Sequence, residues 1–297
     1  MAKLNDIKKR IQGINTTSKI TQAMKLVATA RIQRQKTSFL ELSKFVYNLY
    51  ILLKNLSKNV DFNEVFDIKN IKSNCDLYVV ISSSLGLCGP YNINVCKQAM
   101  NSVRPEDKII VVGERGYDYL KNHGFANQII TQYNVGNNSR NYYEIAPLTL
   151  MVTEAFKQGN YKTVHLIYTK YKNSLSFEPV DLQILPFDNS MFNPEASADP
   201  NKYQSVLNDN NQVIETLTKR STIIKNFISF IVGSVIISAI DEARLCEYTS
   251  RRNAMESATD NAKEIIEDLK QKYNQARQEK ITQEINEIIA GSGEMKG

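Results

Sequence analysis

Histidine is nearly absent from this sequence, with His123 and His165 the only two. A zinc centre or a hydrolytic triad built on imidazole is therefore excluded as a reading. The four cysteines, Cys75, Cys88, Cys96 and Cys246, contain no C-x-x-C pair, and their spacings suit neither zinc nor a disulfide framework. The thiols read as reduced and the compartment as cytoplasmic. Tryptophan is missing, and only 12 of 297 residues are glycine, which favours long helices over a turn-rich fold. No apolar run follows the first lysines, so no signal peptide is expected. Long hydrophobic runs are lacking too. The most apolar stretch, Phe227 to Ile240, falls short of the roughly 20 residues that a membrane span needs and predicts a buried helix segment.

What is present is charge, unevenly spread. The formal net charge is +6. Residues 1–36 carry Lys3, Lys8, Lys9, Arg10, Lys19, Lys25, Arg31, Arg34 and Lys36 against Asp6 alone. Such a stretch suits nucleic acid, anionic lipid, an acidic protein surface or simply a solvated helix face. Single-strand binders interleave stacking rings with basic side chains, and no aromatic precedes Phe39 here. A protein partner is the better reading, and nucleic acid and direct membrane insertion are not expected.

Three regions follow one another. Residues 1–60 form the first, with no proline between 3 and 56 and Gly13 as the one glycine. Leu4, Ile7, Ile11 and Ile14 step by three and four, which places them on one helix face. That heptad then meets Ser18, Thr21 and Lys25, while Ile20, Met24 and Val27 open a neighbouring stripe, so the apolar seam is expected to rotate around the helix. Apolar spacing resumes from Phe39 to Leu56. At 1.5 Å per residue such a helix extends ~80 Å, too far for one compact domain to cover.

Residues 70–190 form the second region. Leu77–Ser82, Lys108–Val112 and Thr163–Tyr168 are short β-branched or aromatic runs, separated by helix-like segments near 92–103, 114–123 and 143–159. Strand–helix alternation predicts an α/β domain with a mostly parallel sheet. Phe177–Phe187 suits an edge strand, where Pro179 and Pro186 are tolerable. Residues 191–211, rich in Asn, Asp, Ser and Pro, read as a linker. Residues 212–297 return to helix, with Ala262, Ile265, Leu269, Tyr273, Ala276, Ile281, Ile285 and Ile288 mostly stepping by three and four. Two long helices at opposite chain ends most simply pair as an antiparallel coiled coil.

The loop Ser82 to Pro90 follows a strand and precedes a helix, where α/β folds often bind phosphate. It lacks both the Walker lysine and a G-x-G-x-x-G pattern. A tight turn is expected instead, with Gly86 and Gly89 supplying permissive backbone angles. Gly113-Glu114-Arg115-Gly116 is read the same way. Cys88 has no accompanying base and reads as an inert thiol.

The two ends are specific. Ile7–Lys36 reads IKKRIQGINTTSKITQAMKLVATARIQRQK, Ala254–Ala262 reads AMESATDNA, and Tyr273–Ile285 reads YNQARQEKITQEI. With Gly86-Leu87-Cys88-Gly89 and Asn92 after the first strand, the chain resembles the gamma subunit of F-type ATP synthases over nearly its whole length. The resemblance implies long antiparallel N- and C-terminal helices with a central Rossmann-like, mostly parallel sheet domain. It implies a non-catalytic rotor, one copy per complex, with no cofactor and no metal. The implied partners are the alpha and beta subunits of the catalytic ring, and beyond them the epsilon subunit and the membrane c-ring. The implied location is peripheral, on the cytoplasmic face of the cell membrane.

Residue by residue, Met24 and Lys25 match the family segment near the acidic lever loop of the beta subunits. Arg277, Gln278, Thr282 and Glu284 match the C-terminal segment that touches beta-subunit loops, and Arg251 matches an arginine preceding the A-M…A-T-D-N stretch. Coiled-coil packing suits Met24 equally, solvated charge suits Lys25 and Arg277 equally, and Asp260 and Asn261 fit helix capping or bridging. Small and polar Ser18, Thr21, Ala28 and Thr29 are expected to keep the shaft from interlocking with its ring. The chain departs from the family at Ser84 and Leu85, where an Asp-Arg pair is common, and at Pro90, where a second glycine is frequent. A diverged bacterial paralogue whose ATPase head drives something other than protons is the alternative. A stand-alone nucleotide-binding α/β protein is the third reading.

Overall fold

A computed structural model describes residues 2–57, 73–136, 142–186 and 219–293. The linker expected at 191–211 and the start of the C-terminal region at 212–218 lie outside the described residues. Two compact units are distinguished, Met1–Thr29 with Arg251–Gly297, and Ala30–Ser250. Two long helices dominate, α1 over Ala2–Ser57 and α5 over Arg220–Gly293. Neither contains a proline, so no backbone donor is missing along them.

The unit Ala30–Ser250 is built on a five-stranded sheet. Its elements are β1 (Leu77–Ile81), α2 (Tyr91–Ser102), β2 (Lys108–Val112), α3 (Glu114–Leu120), β3 (Ile129–Tyr133), α4 (Tyr142–Lys157), β4 (Val164–Tyr171) and β5 (Phe177–Leu185). The spatial order is β3-β2-β1-β4-β5. All pairings are parallel except β4 with β5. Pro179 sits opposite Thr169 on that outer strand, the part of a sheet where proline is tolerated.

Strand side chains alternate between two cores. Leu77, Val79, Ile81, Ile110, Val112 and Leu166 point to one face, against Ile145, Leu148 and Val152 of α4 and a run of α5 from Ile224 to Ala243. Val46, Leu53 and Leu56 of α1 join that core. Tyr78, Val80, Ile109 and Val111 point to the other face, against Val95, Cys96 and Ala99 of α2 and Leu120 of α3. Burial on both faces is why β1 and β2 read as continuous apolar runs rather than as alternation. Phe227–Ile240 is thus a core helix segment, and among the described residues no helix is long and apolar enough to cross a membrane. At the amino edge of the sheet, Asp76 accepts bonds from the Thr163 hydroxyl at 2.5 Å and the Arg104 guanidinium at 2.5 Å.

The strand β3 was not expected. Its sequence, IITQY, has a polar pair and is only half-buried, so it carries neither an apolar run nor a clean alternation. In the same unit, α1 and α5 also touch directly. Ser38 donates to the buried Asp241 carboxylate at 2.5 Å, and Phe45 meets Phe230 edge to face at 6.2 Å.

In the unit Met1–Thr29 with Arg251–Gly297, the two helices pair antiparallel. Thr21 meets Thr259 at 2.7 Å and Lys25 meets Glu256 at 2.7 Å. The least exposed positions of α1 here are Leu4, Ile7, Ile11, Ile14, Ser18, Thr21, Met24, Lys25, Ala28 and Thr29. The seam therefore does not rotate. It holds one heptad and changes chemistry, from isoleucine to serine, threonine, lysine and alanine. Ile20 and Val27, expected to carry a new stripe inward, are 55% and 54% exposed.

A second correction follows for the small residues. Thr21 and Ala28 are buried, Ala28 being 2% exposed, so they face the partner helix rather than the outside. On α5 the buried seam is Met255, Thr259, Ala262, Ile266 and Leu269. Ile266 takes the place expected for Ile265. Pairing of residue 21 with 259 and 25 with 256 puts the first turn of α1 level with residues near 278. Beyond that point no helix among the described residues pairs with α5, and Ile281, Ile285, Ile288 and Ile289 are exposed.

Candidate functional site

The hydroxyl pair at the centre of the helix seam is unusual in its proton count. Thr21 Oγ1 lies 3.0 Å from the Ser18 carbonyl, Thr259 Oγ1 lies 2.7 Å from the Met255 carbonyl, and the two oxygens lie 2.7 Å apart. Two protons serve three bonds, so the cross-helix bond forms when one threonine turns away from its own carbonyl. One turn along, Lys25 donates to Glu256, and that bond with the ammonium charge holds the Glu256 carboxyl below its ordinary range. Glu256 is exposed and Lys25 only half-buried, so the pair fixes register more than stability.

The residues singled out in the sequence fall into three groups. Met24 and Lys25 lie at the border between seam and surface, half-buried. Arg277, Gln278, Thr282 and Glu284 are exposed near and past the level where α1 begins, and Glu284 pairs with Lys280 at 3.1 Å. Arg251 stands apart from both, since it is 7% exposed and has little surface to offer a partner. Asp260 bonds to Lys263 on its own helix rather than bridging to the other. Sequence reading missed Leu26, 64% exposed, and the outward placement of Ile20 and Val27. The signal that finds them is the heptad of Leu4, Ile7, Ile11 and Ile14 continued without a break.

The loop from Ser82 to Pro90 is closed on itself. The Ser83 N–H donates to Asn92 Oδ1 at 2.9 Å, and Asn92 Nδ2 donates to Ser83 Oγ at 2.8 Å and to the Cys88 thiol at 3.2 Å. Ser250 of α5 donates to the Cys88 carbonyl at 2.7 Å. Cys88 is buried, as an unreactive thiol is. Gly89 takes φ +57°, but Gly86 does not adopt a positive φ; Leu87 does, at φ +60°. Gly113 takes φ +97°, and a Cβ there would meet the Ser82 carbonyl oxygen at 2.6 Å. The second glycine motif thus serves a close backbone approach. Among the described residues no cluster of His, Cys, Asp and Glu is fit to hold a metal ion.

With this geometry in view, likeness to known proteins is informative. The family model described as ATP synthase matches residues 3–293. The ATP synthase gamma chain of Malacoplasma penetrans is 35% identical over 294 residues, covering 98% of this chain and 99% of the relative. That of Lachnoclostridium phytofermentans is 35% identical over 297 residues, with the same coverage of 98% and 99%. Among solved structures, the Euglena gracilis mitochondrial ATP synthase rotor in rotational state 1 is similar with a TM-score of 0.67 at 18% identity, over 94% of this chain and 99% of that one. The Tetrahymena thermophila mitochondrial ATP synthase central stalk and c-ring gives a TM-score of 0.59 at 23% identity, over 80% of this chain and 99% of that one. The structural likenesses bear on the fold, with its long terminal helices and central sheet. A family match over nearly the whole length, joined by full-length relatives at 35% identity, means that this chain belongs to the ATP synthase gamma chain family.

Proposed function

We propose that the chain is the non-catalytic central-stalk rotor of an F-type ATP synthase, coupling its own rotation to ATP synthesis or hydrolysis in an alpha/beta ring and to proton translocation. The observation that carries this is the aliphatic surface of the paired helices. Ile20, Leu26, Val27, Ile265, Ile281, Ile285, Ile288 and Ile289 stand exposed, with no further layer among the described residues of their unit to cover them. Recurrent exposed aliphatics mark a surface that another protein encloses. A ring around the helix pair supplies that enclosure, and catalysis belongs to the ring. Met24, Lys25, Arg277, Gln278, Thr282 and Glu284 are the ring-facing contacts, and Arg251 acts within the chain's own fold. An asymmetric surface turning inside the ring gives each catalytic site a different set of contacts in turn, which is what a conformational change requires.

The epsilon subunit and the c-ring are the partners at the sheet-bearing part, and the whole sits peripherally on the cytoplasmic face of the membrane. Full-length likeness to ATP synthase gamma chains favours this reading over a rotor with another output. Single-molecule, ATP-driven rotation of the assembled complex tests it. Met24→Lys, which adds positive charge at the border of the seam, is expected to slow or uncouple rotation while the isolated chain still folds. Failure of the full chain to assemble with alpha and beta subunits, or an assembled complex that does not rotate, overturns the proposal, and unchanged rotation of Met24→Lys removes Met24 from the ring-facing contacts.

A further inference from the structure

A cavity of about 60 Å³ lies at the carboxyl ends of β1 and β2, within the unit Ala30–Ser250. Its walls include Arg31 of α1, Arg244, Glu247 and Tyr248 of α5, and Ser83 and Ser84 of the loop after β1. The carboxyl edge is where sheets of this kind receive ligands. Size excludes most of them, because small-molecule pockets run to roughly 300–1,000 Å³. One water needs about 10–15 Å³, so this space admits a few waters or one small polyatomic ion.

The charges decide between the two. Arg244 Nη2 donates to the Val135 carbonyl at 3.1 Å and to the Gly136 carbonyl. Its Nη1 is buried and finds no acceptor among the described residues. A buried guanidinium donor left unpaired carries a full desolvation penalty. Arg31, a second lining residue, has its guanidinium 5.5 Å from the centre of the Tyr248 ring. Among the described residues, neither Arg31 nor Arg244 is paired with a carboxylate. The Ser84 hydroxyl makes no hydrogen bond among them either. Glu247 offsets part of the charge and leaves the walls net positive. Two arginines, one with an orphaned donor, therefore line a space the size of a tetrahedral oxyanion. Guanidinium is the side chain whose planar donors best match phosphate oxygens.

We propose that this cavity binds a small inorganic oxyanion of the phosphate class, held by Arg244 and Arg31 with Ser84 as a neutral donor. The site is independent of the rotor reading, because it rests on a cavity in the sheet-bearing unit and not on the paired helices that a ring would enclose.

Equilibrium dialysis of the purified full chain against radiolabelled inorganic phosphate tests this, with thermal unfolding run on every variant. One saturable site per chain is expected. Arg31→Gln and Arg244→Gln are each expected to weaken binding about tenfold or more, the loss typical of a charge-assisted hydrogen bond. Arg34→Gln, one turn away on α1 and not part of the cavity wall, is expected to leave it unchanged. Should Arg244→Gln fail to fold, Arg31→Gln carries the test alone. ATP in excess is expected to leave the phosphate bound, since the cavity is too small for a nucleotide. Absence of saturable phosphate binding, undiminished binding by folded Arg31→Gln, or displacement of phosphate by ATP each overturns the proposal.

Discussion

The two units use the same pair of helices in opposite ways. Among the described residues of 1–29 with 251–297, α1 and α5 pack only on each other; they meet through Thr21, Ala28, Thr259 and Ala262 together with Ile266 and Leu269, while Ile20, Leu26, Val27 and Ile265 stand outside. In residues 30–250 the same helices meet a sheet and α4, and they bury Val46, Leu53, Leu56, Ile228, Val232 and Ile236. Small seam residues let two backbones approach closely, as in any two-helix contact with no third layer. Branched aliphatics fill the wider space between a helix and a pleated surface. The difference teaches that exposure of apolar side chains in one unit is not poor packing. Its seam is satisfied, and its aliphatics are left for something else to cover.

The largest expected effect comes from the layered unit. Leu166→Ala, at a fully buried position on β4, is expected to lower stability by about 2–5 kcal/mol in chemical denaturation. By contrast Leu26→Ala on the paired helices is expected to leave unfolding within error. Equal losses at the two positions would break the comparison.

Next is pH. Burial raises the Glu242 carboxyl to about 7 from an ordinary 4.5, although it accepts the Tyr171 N–H at 2.9 Å. A raised folded value means that the folded chain binds the proton more tightly than the unfolded chain. The stability linked to Glu242 is thus fully present below about pH 4.5 and is lost as pH rises through about 7. The loss is roughly 3 kcal/mol. Glu242→Gln keeps the acceptor and removes the charge. It is expected to raise the unfolding midpoint above about pH 7 and to change it little at acid pH. A gain that does not vary with pH would assign the effect to packing instead.

The helix seam should respond less. Thr259→Val is expected to cost about 1 kcal/mol, and the double change with Thr21→Val less than the sum of the two singles, because each removes the same shared bond. Strict additivity in that double-mutant cycle would mean that the hydroxyls act separately. The smallest effect is expected for Lys25→Met, which breaks an exposed ion pair and should leave the unfolding midpoint unmoved. Slowed rotation in the assembled complex with that variant would separate a contact role from a stability role.

Much of the fold was legible. Continuous apolar runs with intervening helices marked β1, β2 and β4, and proline marked β5 as an outer strand. The strand β3 was not, because a half-buried strand of mixed polarity has no pattern distinct from loop. The seam was misread between Ser18 and Ala28 because polarity was taken as a sign of exposure. Thr21 is buried with its hydroxyl bonded to another threonine, which apolar periodicity cannot register. The oxyanion cavity was invisible for a related reason. Arg31, Ser84 and Arg244 are far apart in the chain, and no local spacing joins them.

By itself the sequence determined the family, two proline-free helices at the chain ends and an α/β core between them. These depend on residues near one another in sequence, through helix period, strand alternation and contiguous motifs. Only the tertiary structure decided which face of each helix turns inward. It set Thr21 against Thr259, buried Arg251, turned Ile20 and Val27 outward and brought two arginines to one cavity. Those outcomes depend on which long-range partner occupies each face, and a hydroxyl, a guanidinium or an isoleucine can be satisfied in more than one setting.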